Sequence, residues 1–329
     1  MLSLFLPAAN RLLLLLTALL ANAIVGGPLR LHHRLGLLGP AHAMRLFIRK
    51  AERKLNRSRR SVVTRYLRGL LLVLFALIAA AVTGAVIHRL FFLAPYGFIG
   101  EALLLALMLP QRKIAEQASF LAKKMRGEKV PVTSHALASI AQRDVESLDR
   151  YGLGRAGIEH LGEYFCAVIV PVAFGYAWFG LAGALTMRVA HLLWQVLGVQ
   201  SPGPFGDGAR MIPAALLAAP AALGAVLLML AAAFAPGTSP LRAARSFTMA
   251  QTKGLSTFLR ILPLATMAGA LDVTLGGTRR RKQLLLPEPW VGEGTAKVTP
   301  AHVRRAFWMF WIGCLMQGLL WLACFALAK

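Results

Sequence analysis

The sequence predicts an all-α fold: a polytopic helical membrane protein with about six transmembrane helices, a cytoplasmic helical subdomain and a re-entrant segment. First, 57% of the 329 residues are hydrophobic and the mean hydropathy is +0.61, although the formal net charge is +24. Soluble domains rarely combine these values. Second, the apolar residues form runs of about 20 residues, the length that a helix needs to cross a bilayer, and Lys and Arg lie between these runs.

Six apolar runs are candidate spans: Leu4–Val25, Gly69–Ile87, Leu90–Pro110, Phe165–Leu197, Met211–Pro236 and Ala306–Ala328. The first also resembles a cleavable signal peptide, but we favour a retained helix because further spans follow it. The fourth is too long for one simple crossing. Arg188 and His191 near its end predict that its last third lies at the interface or lines a polar cavity.

A seventh apolar piece, Ile261–Gly277, is short and is interrupted by Pro263 and Gly269. Non-helical backbone at membrane depth must be shielded from lipid. We therefore expect a re-entrant or buried segment here.

The distribution of Lys and Arg predicts the orientation. The segment Arg45–Arg68 is almost purely basic, and the stretches Gln111–Glu163 and Gly237–Arg305 are also basic. Cationic loops are retained in the cytoplasm. The sequence thus predicts a multi-pass protein of a bacterial inner membrane, with both termini outside and these three loops in the cytoplasm.

This topology divides the chain into three parts. They are an N-terminal transmembrane part at 1–110 with a basic loop at 28–68, a cytoplasmic helical segment at 111–163, and a C-terminal transmembrane part at 164–329 with a basic loop at 237–305.

The large positive charge is compatible with several roles. We assign most of it to orientation and to contact with anionic membrane lipid. Nucleic acid is not an expected partner, because the charges flank spans and lack interleaved aromatic residues. Part of the charge can attract a phosphate-bearing or polycarboxylate ligand to the cytoplasmic face.

Two blocks of sequence point to a family. From Ile140 the chain reads IAQRDVESLDRYGLGRAGIEHLGEYF, and near the C-terminus it reads MAGALDVTLGGTRRRKQLLLPEPWVGEG followed by TPAHVRRAF. Weaker matches are GPAHAMRLF and GALTMRVAHLLWQVLG. In these blocks, and in their order, the chain resembles the adenosylcobinamide-phosphate synthase family of cobalamin biosynthesis, called CobD or CbiB. The resemblance spans most of the chain.

The resemblance implies an integral membrane enzyme that joins an aminopropanol, or its phosphate, to a side-chain carboxylate of the corrinoid adenosylcobyric acid. Such amide formation implies ATP and Mg²⁺ as cofactors. Other proteins of the cobalamin pathway are possible partners.

The matched motifs also imply site residues. The catalytic candidates are Asp144, Glu159 and Glu163, and the substrate-binding candidates are Arg143, Arg155, Arg188 and His42. Glu159 and Glu163 are four residues apart, hence on one helical face, where two carboxylates can bind a cation. The alternative is a solvated helix face on which Arg155 and Glu159 form an ordinary ion pair.

The departures from the family pattern leave catalysis open. Cys166 to Val168 stand where the family has S-D-G, and His191 and Trp194 replace the Asn and Asp of N-T-L-D. Apolar residues neither ligate Mg²⁺ nor transfer protons. The alternative function is therefore a catalytically degenerate scaffold or corrinoid-handling partner of the same ancestry. A small transporter would show inverted repeats, and the two halves show no convincing self-similarity.

Other signals are weaker. The histidines and cysteines lack the spacing of a metal site, so none is predicted from them. His191 is more simply a packed interfacial residue than a catalyst. Gly276 and Gly277, before a basic run, can bind phosphate through backbone amides or form a solvated surface.

Overall fold

The computed structural model describes residues 8–25, 40–129, 148–199, 201, 203–249, 255–281, 284–286 and 289–327. These residues are almost entirely helical, which confirms the predicted all-α fold class. The helices are α1 (Ala8–Val25), α2 (Pro40–Leu55), α3 (Val62–Leu93), α4 (Gly97–Met108), α5 (Gln111–Met125), α6 (Arg150–Tyr164), α7 (Val170–Leu193), α8 (Pro204–Phe234), α9 (Pro240–Met249), α10 (Leu255–Leu271) and α11 (Pro300–Leu327).

Three single helices are long and apolar enough to cross a membrane. These are α3, α8 and α11, with 32, 31 and 28 residues, or more than about 40 Å each at 1.5 Å per residue. The outer face of α3 exposes large apolar side chains, among them Phe75 and Ile78, as expected for contact with lipid. Three of the predicted spans therefore lie, to within two residues at their C-terminal ends, inside helices of crossing length.

The third predicted span, Leu90–Pro110, is wrong. The chain turns at Ala94 to Tyr96, where Tyr96 has a φ of 60°, and α4 contains only 12 residues. A helix of this length covers about 18 Å, less than the hydrocarbon thickness. The hydropathy profile misses the break because the turn residues are themselves uncharged.

The fourth predicted span, Phe165–Leu197, is a helical hairpin. Gly180 has φ 59° and ψ −148°, a backbone conformation that only glycine adopts readily. The rings of Tyr164 and His191 lie 5.9 Å apart, whereas a straight helix would separate these positions by about 40 Å. The two arms, which touch at Gly175 and Gly183, therefore run back along each other.

The hairpin begins and ends in sequence with a turn of π-helix, which is wider than an α-helical turn. The turns span Phe165–Ile169 and Trp194–Val199. π-Helical turns are rare and occur often at functional sites. Both turns lie at the open end of the hairpin, opposite the reversal. The backbone around the residues that meet there is therefore wider than that of an α-helix.

The seventh apolar piece is buried, as predicted, but it is helical as far as Leu271. Helix α10 continues through Pro263 and packs against α8 and α9. The strands that follow are β1 (Leu275–Gly276), β2 (Arg279–Arg281), β3 (Leu284–Leu286) and β4 (Trp290–Val291), with β1 antiparallel to β4 and β2 antiparallel to β3. Re-entry of this segment into the bilayer stays a prediction.

Helices α5 and α6 form an antiparallel pair in the predicted cytoplasmic segment. Gln117 bonds His160, and Gly154 packs against Met125 at the other end of the pair. Residues 130–147, which complete this segment, lie outside the described residues. The segment's boundaries and its side of the membrane stay predictions.

Candidate functional site

For three of the seven predicted site residues, the side chain lies outside the part of the chain that the structure describes. Arg143 and Asp144 lie outside the described residues. His42 belongs to α2, but its side chain is also outside them. The structure therefore bears on Arg155, Glu159, Glu163 and Arg188.

Glu159 joins the two sequence blocks in space. It is buried, and its Oε1 accepts a hydrogen bond of 2.8 Å from the backbone N–H of Gly276. Gly276 has a φ of 89° and begins the turn before the basic run. The alternative of a solvated helix face is thus wrong for Glu159.

The same bond removes a predicted phosphate-binding element. The N–H of Gly276 is bound to Glu159, and the N–H of Gly277 donates to the carbonyl oxygen of Pro289. Neither backbone amide is available to a ligand.

Arg155 is engaged with the loop that follows β4. Its Nη1 donates to the carbonyl oxygen of Ala296 at 2.6 Å, and its guanidinium lies 5.5 Å from the ring of Trp290. Asp149 Oδ1 lies 3.8 Å from Nη2. Arg155 therefore fastens α6 to this loop.

Glu163 lies one turn beyond Glu159 on the same helix and is half-buried.

Arg188 lies in a cluster of cations that sequence reasoning did not assemble. Burial lowers the pKa of Lys113, and the positive charges of Arg188 and Arg45 lower it further. Lys113 as a residue is solvent-exposed, although the surrounding protein partly desolvates its ammonium group, so the cluster lies at the surface of the described structure. We call Arg45, Lys113 and Arg188 the cationic cluster; α2, α5 and α7 each contribute one member.

Several polar atoms around this cluster have no partner in the part of the chain that the structure describes. They include both ring nitrogens of His191, which is only 4% exposed. The others are Nη1 of Arg188, Nε of Arg45 and Nε1 of Trp194. A buried polar group without a partner costs about 1–3 kcal/mol. The unpaired atoms are therefore a feature that needs an explanation.

A chain of rings connects the cationic cluster to α6. The ring centroids of His160 and Tyr164 are 4.5 Å apart, those of Tyr164 and His191 are 5.9 Å apart, and those of His191 and Trp194 are 6.2 Å apart. Arg45 Nη2 donates to Gln195 Oε1 at 2.9 Å, which holds α2 against this row. The end of the fourth apolar run therefore has polar neighbours, and its position at the membrane interface or beside a polar cavity stays a prediction.

The sequence offered one signal for the missed residues. Arg188 and His191 interrupt an apolar run, and ionisable residues in such runs are functional candidates by default. Arg45 and Lys113 carry no comparable signal, because they lie among many other basic residues. Only the fold brings them to Arg188.

The described residues do not supply a complete protein ligand set for a metal. Among them, no three His, Cys, Asp or Glu side chains are grouped to hold an ion. The Oε1 of Glu159 is already bound by a backbone N–H. The Mg²⁺ expected from the resemblance therefore finds no ready site in this part of the chain.

A second buried polar group lies between α3, α4 and α7. The carboxylate of Glu101 accepts from the Tyr176 hydroxyl at 2.8 Å and lies 3.0 Å from His88 Nδ1. Both carboxylate oxygens are thus satisfied, and the three side chains are buried. This group fits a structural role that joins three helices.

Comparison with known proteins identifies the family. The chain matches the model described as CobD/Cbib protein over residues 15–310. The protein "Cobalamin biosynthesis protein CobD" of Sinorhizobium sp is 32% identical over 318 residues, covering 93% of this chain and 96% of the relative. Its namesakes from Sinorhizobium fredii (strain NBRC 101917 / NGR234) and Rhizobium meliloti (strain 1021) are 31% and 30% identical; they cover 92% and 93% of this chain, and 93% and 94% of their own lengths. No solved structure matches. The chain belongs to the CobD/CbiB family.

Proposed function

We propose that this protein acts in cobalamin biosynthesis as an adenosylcobinamide-phosphate synthase in the cytoplasmic membrane. The reaction joins the amine of an aminopropanol, or its phosphate, to a side-chain carboxylate of adenosylcobyric acid through an amide. Family membership supports the process. The observation that supports the reaction is the cationic cluster at the open end of the hairpin, since both substrates bring anionic groups that guanidinium and ammonium groups bind.

The residues take the roles that the motifs suggest. Asp144, Glu159 and Glu163 are the catalytic carboxylates, and Arg188 contacts a substrate carboxylate or phosphate. Glu159 also fixes the turn at Gly276, so part of its effect is positional. Arg143, Arg155 and His42 complete the substrate-binding set.

ATP and Mg²⁺ belong to the proposal because a carboxylate does not form an amide in water without activation. Nucleotide hydrolysis supplies the free energy. The contribution of this chain is to bind the two substrates side by side and to exclude water from the reacting groups.

The test is a reconstituted reaction. Purified protein in detergent is incubated with adenosylcobyric acid, aminopropanol phosphate, ATP and Mg²⁺, and mass spectrometry detects the amide product. We expect product with the wild-type protein and a loss of more than tenfold with Glu159→Gln. A folded Glu159→Gln variant with full activity would remove Glu159 from the catalytic set.

A complementation experiment separates the synthase from the scaffold alternative. The gene is placed in a bacterium that lacks its own synthase, and corrinoid-dependent growth is measured. We expect growth that depends on the same residues as product formation. Growth support by a protein that forms no amide in the purified reaction would identify the scaffold or corrinoid-handling role.

A further inference from the structure

We propose that Arg45, Lys113, Arg188 and His191 form a binding site for a phosphate group carried by a small soluble molecule. The site lies where α2, α5 and the second arm of the hairpin meet. It is distinct from the Gly276–Gly277 turn, whose backbone amides are already bound.

The first argument is charge. Three cations from three different helices lie close enough for the charges of two of them to lower the pKa of the third, Lys113. The contacts agree with this placement, because Arg45 Nη2 donates to Gln195 Oε1 at 2.9 Å and the ring of the adjacent Trp194 lies 6.2 Å from that of His191. Holding like charges together is unfavourable, and an anion between them reverses the sign of that interaction. In the described ranges no ion pair supplies a counter-charge to these three cations, and an anion bound between them would supply it.

The second argument is the unpaired donors. Arg188 Nη1, Arg45 Nε and both ring nitrogens of His191 are buried without a partner among the described residues, and in a neutral imidazole one of these two nitrogens is a donor and the other an acceptor. Trp194 Nε1 adds a further donor on the same row of rings. A ligand that accepts several hydrogen bonds at once would satisfy them.

The third argument selects phosphate over carboxylate. A phosphate monoester carries a charge of about −1.5 to −2 at neutral pH and three acceptor oxygens. A carboxylate carries a single charge and two oxygens. Three cations and two further N–H donors, one on His191 and one on Trp194, match the phosphate better in both charge and number of acceptors.

The surroundings indicate how the ligand enters. Lys113 is exposed, whereas His191 is 4% exposed, so the site has an open side and a closed side. The guanidinium of Arg45 is fixed beside them, because its Nη2 donates a hydrogen bond to Gln195. Aminopropanol phosphate is the small phosphate ester that the proposed function supplies, and that identification alone rests on the proposed function.

The test is direct binding, without corrinoid or ATP. Full-length protein in neutral detergent is dialysed against radiolabelled inorganic phosphate, and aminopropanol phosphate is added as a competitor. We expect the wild type to bind phosphate and the competitor to displace it. Arg188→Gln and Lys113→Gln should each weaken binding at least tenfold, whereas Lys297→Gln, which removes one charge from an exposed loop position, should leave it unchanged.

Two controls keep the result interpretable. Arg188→Lys retains the positive charge and should recover part of the affinity, and the elution volume on gel filtration shows whether each variant is folded. Equal binding by the wild type, Arg188→Gln and Lys113→Gln, or no binding by the wild type, would overturn the site.

A lipid headgroup presents the same phosphate chemistry, so the assay has a second arm. The protein is placed in nanodiscs of phosphatidylcholine, with or without phosphatidylglycerol. Displacement of labelled phosphate by phosphatidylglycerol but not by aminopropanol phosphate would overturn the assignment to a soluble ligand. Amide formation without phosphate binding would overturn this site and leave the proposed function standing, and phosphate binding without amide formation would do the reverse.

Discussion

The hydrogen bond between Glu159 and Gly276 allows a sharp test of how the two family blocks are held together. Glu159→Ala removes the acceptor and leaves a buried N–H without a partner, because the bond is made in a buried position. The loss of a hydrogen bond to a charged group costs about 1.5–3 kcal/mol. We therefore expect Glu159→Ala to lower the free energy of unfolding by about 2 kcal/mol.

Glu159→Gln is the matched variant, since its amide oxygen can still accept from Gly276. Only the charge assistance is lost, and we expect a decrease of about 1 kcal/mol or less. The assay is thermal unfolding of the purified protein in one detergent, followed by circular dichroism, with both variants beside the wild type. Equal destabilisation by alanine and glutamine would refute the reasoning, because the contact between the blocks would then not depend on this acceptor.

Three further predictions concern other parts of the fold. Gly180→Ala should destabilise the protein by about 1–3 kcal/mol, because φ 59° with ψ −148° strains any residue with a Cβ, whereas Gly318→Ala, in a helix with open space around it, should be neutral or stabilising in the same melting experiment. Glu101→Leu should lower the free energy of unfolding by about 2 kcal/mol or more. Adding Tyr176→Phe should then cost little further stability, since the two side chains share one hydrogen bond. Fully additive losses in this double-mutant cycle would contradict the predicted coupling. Binding of aminopropanol phosphate, whose phosphate is already mostly a dianion above about pH 7, should weaken at a pH below that at which an ordinary lysine loses its proton, because the pKa of Lys113 is lowered. Lys113→Arg should shift this loss to higher pH, and an unchanged pH profile in that variant would count against Lys113.

The long spans could be predicted from the sequence because hydropathy over about 20 residues is a local property. Helices α3, α8 and α11 accordingly appear where the apolar runs lie. The break at Pro95 and Tyr96 and the reversal at Gly180 could not be predicted in this way, since each depends on the backbone conformation of one or two residues within an apolar run. A window average contains no information on chain direction.

The site was predictable only in part for a different reason. The motif match selected Glu159 and Arg188, and the structure brings Glu159 to the second family block. Arg188, however, acquires its neighbours from α2 and α5, which are far away in sequence. No spacing rule connects Arg45 and Lys113 to it, so the cationic cluster became visible only with the fold.

Two buried polar groups in this protein differ in whether their hydrogen-bonding atoms have partners, and this difference bears on function. Around Glu101, both carboxylate oxygens are bound, by Tyr176 and His88, so the group stabilises the packing of three helices. Around Arg188 and His191, buried nitrogens remain unpaired within the described part of the chain. Unpaired polar groups in an apolar setting lower stability, and they are retained where a ligand completes them. The cost of leaving these donors open therefore argues for an anion at this end of the hairpin.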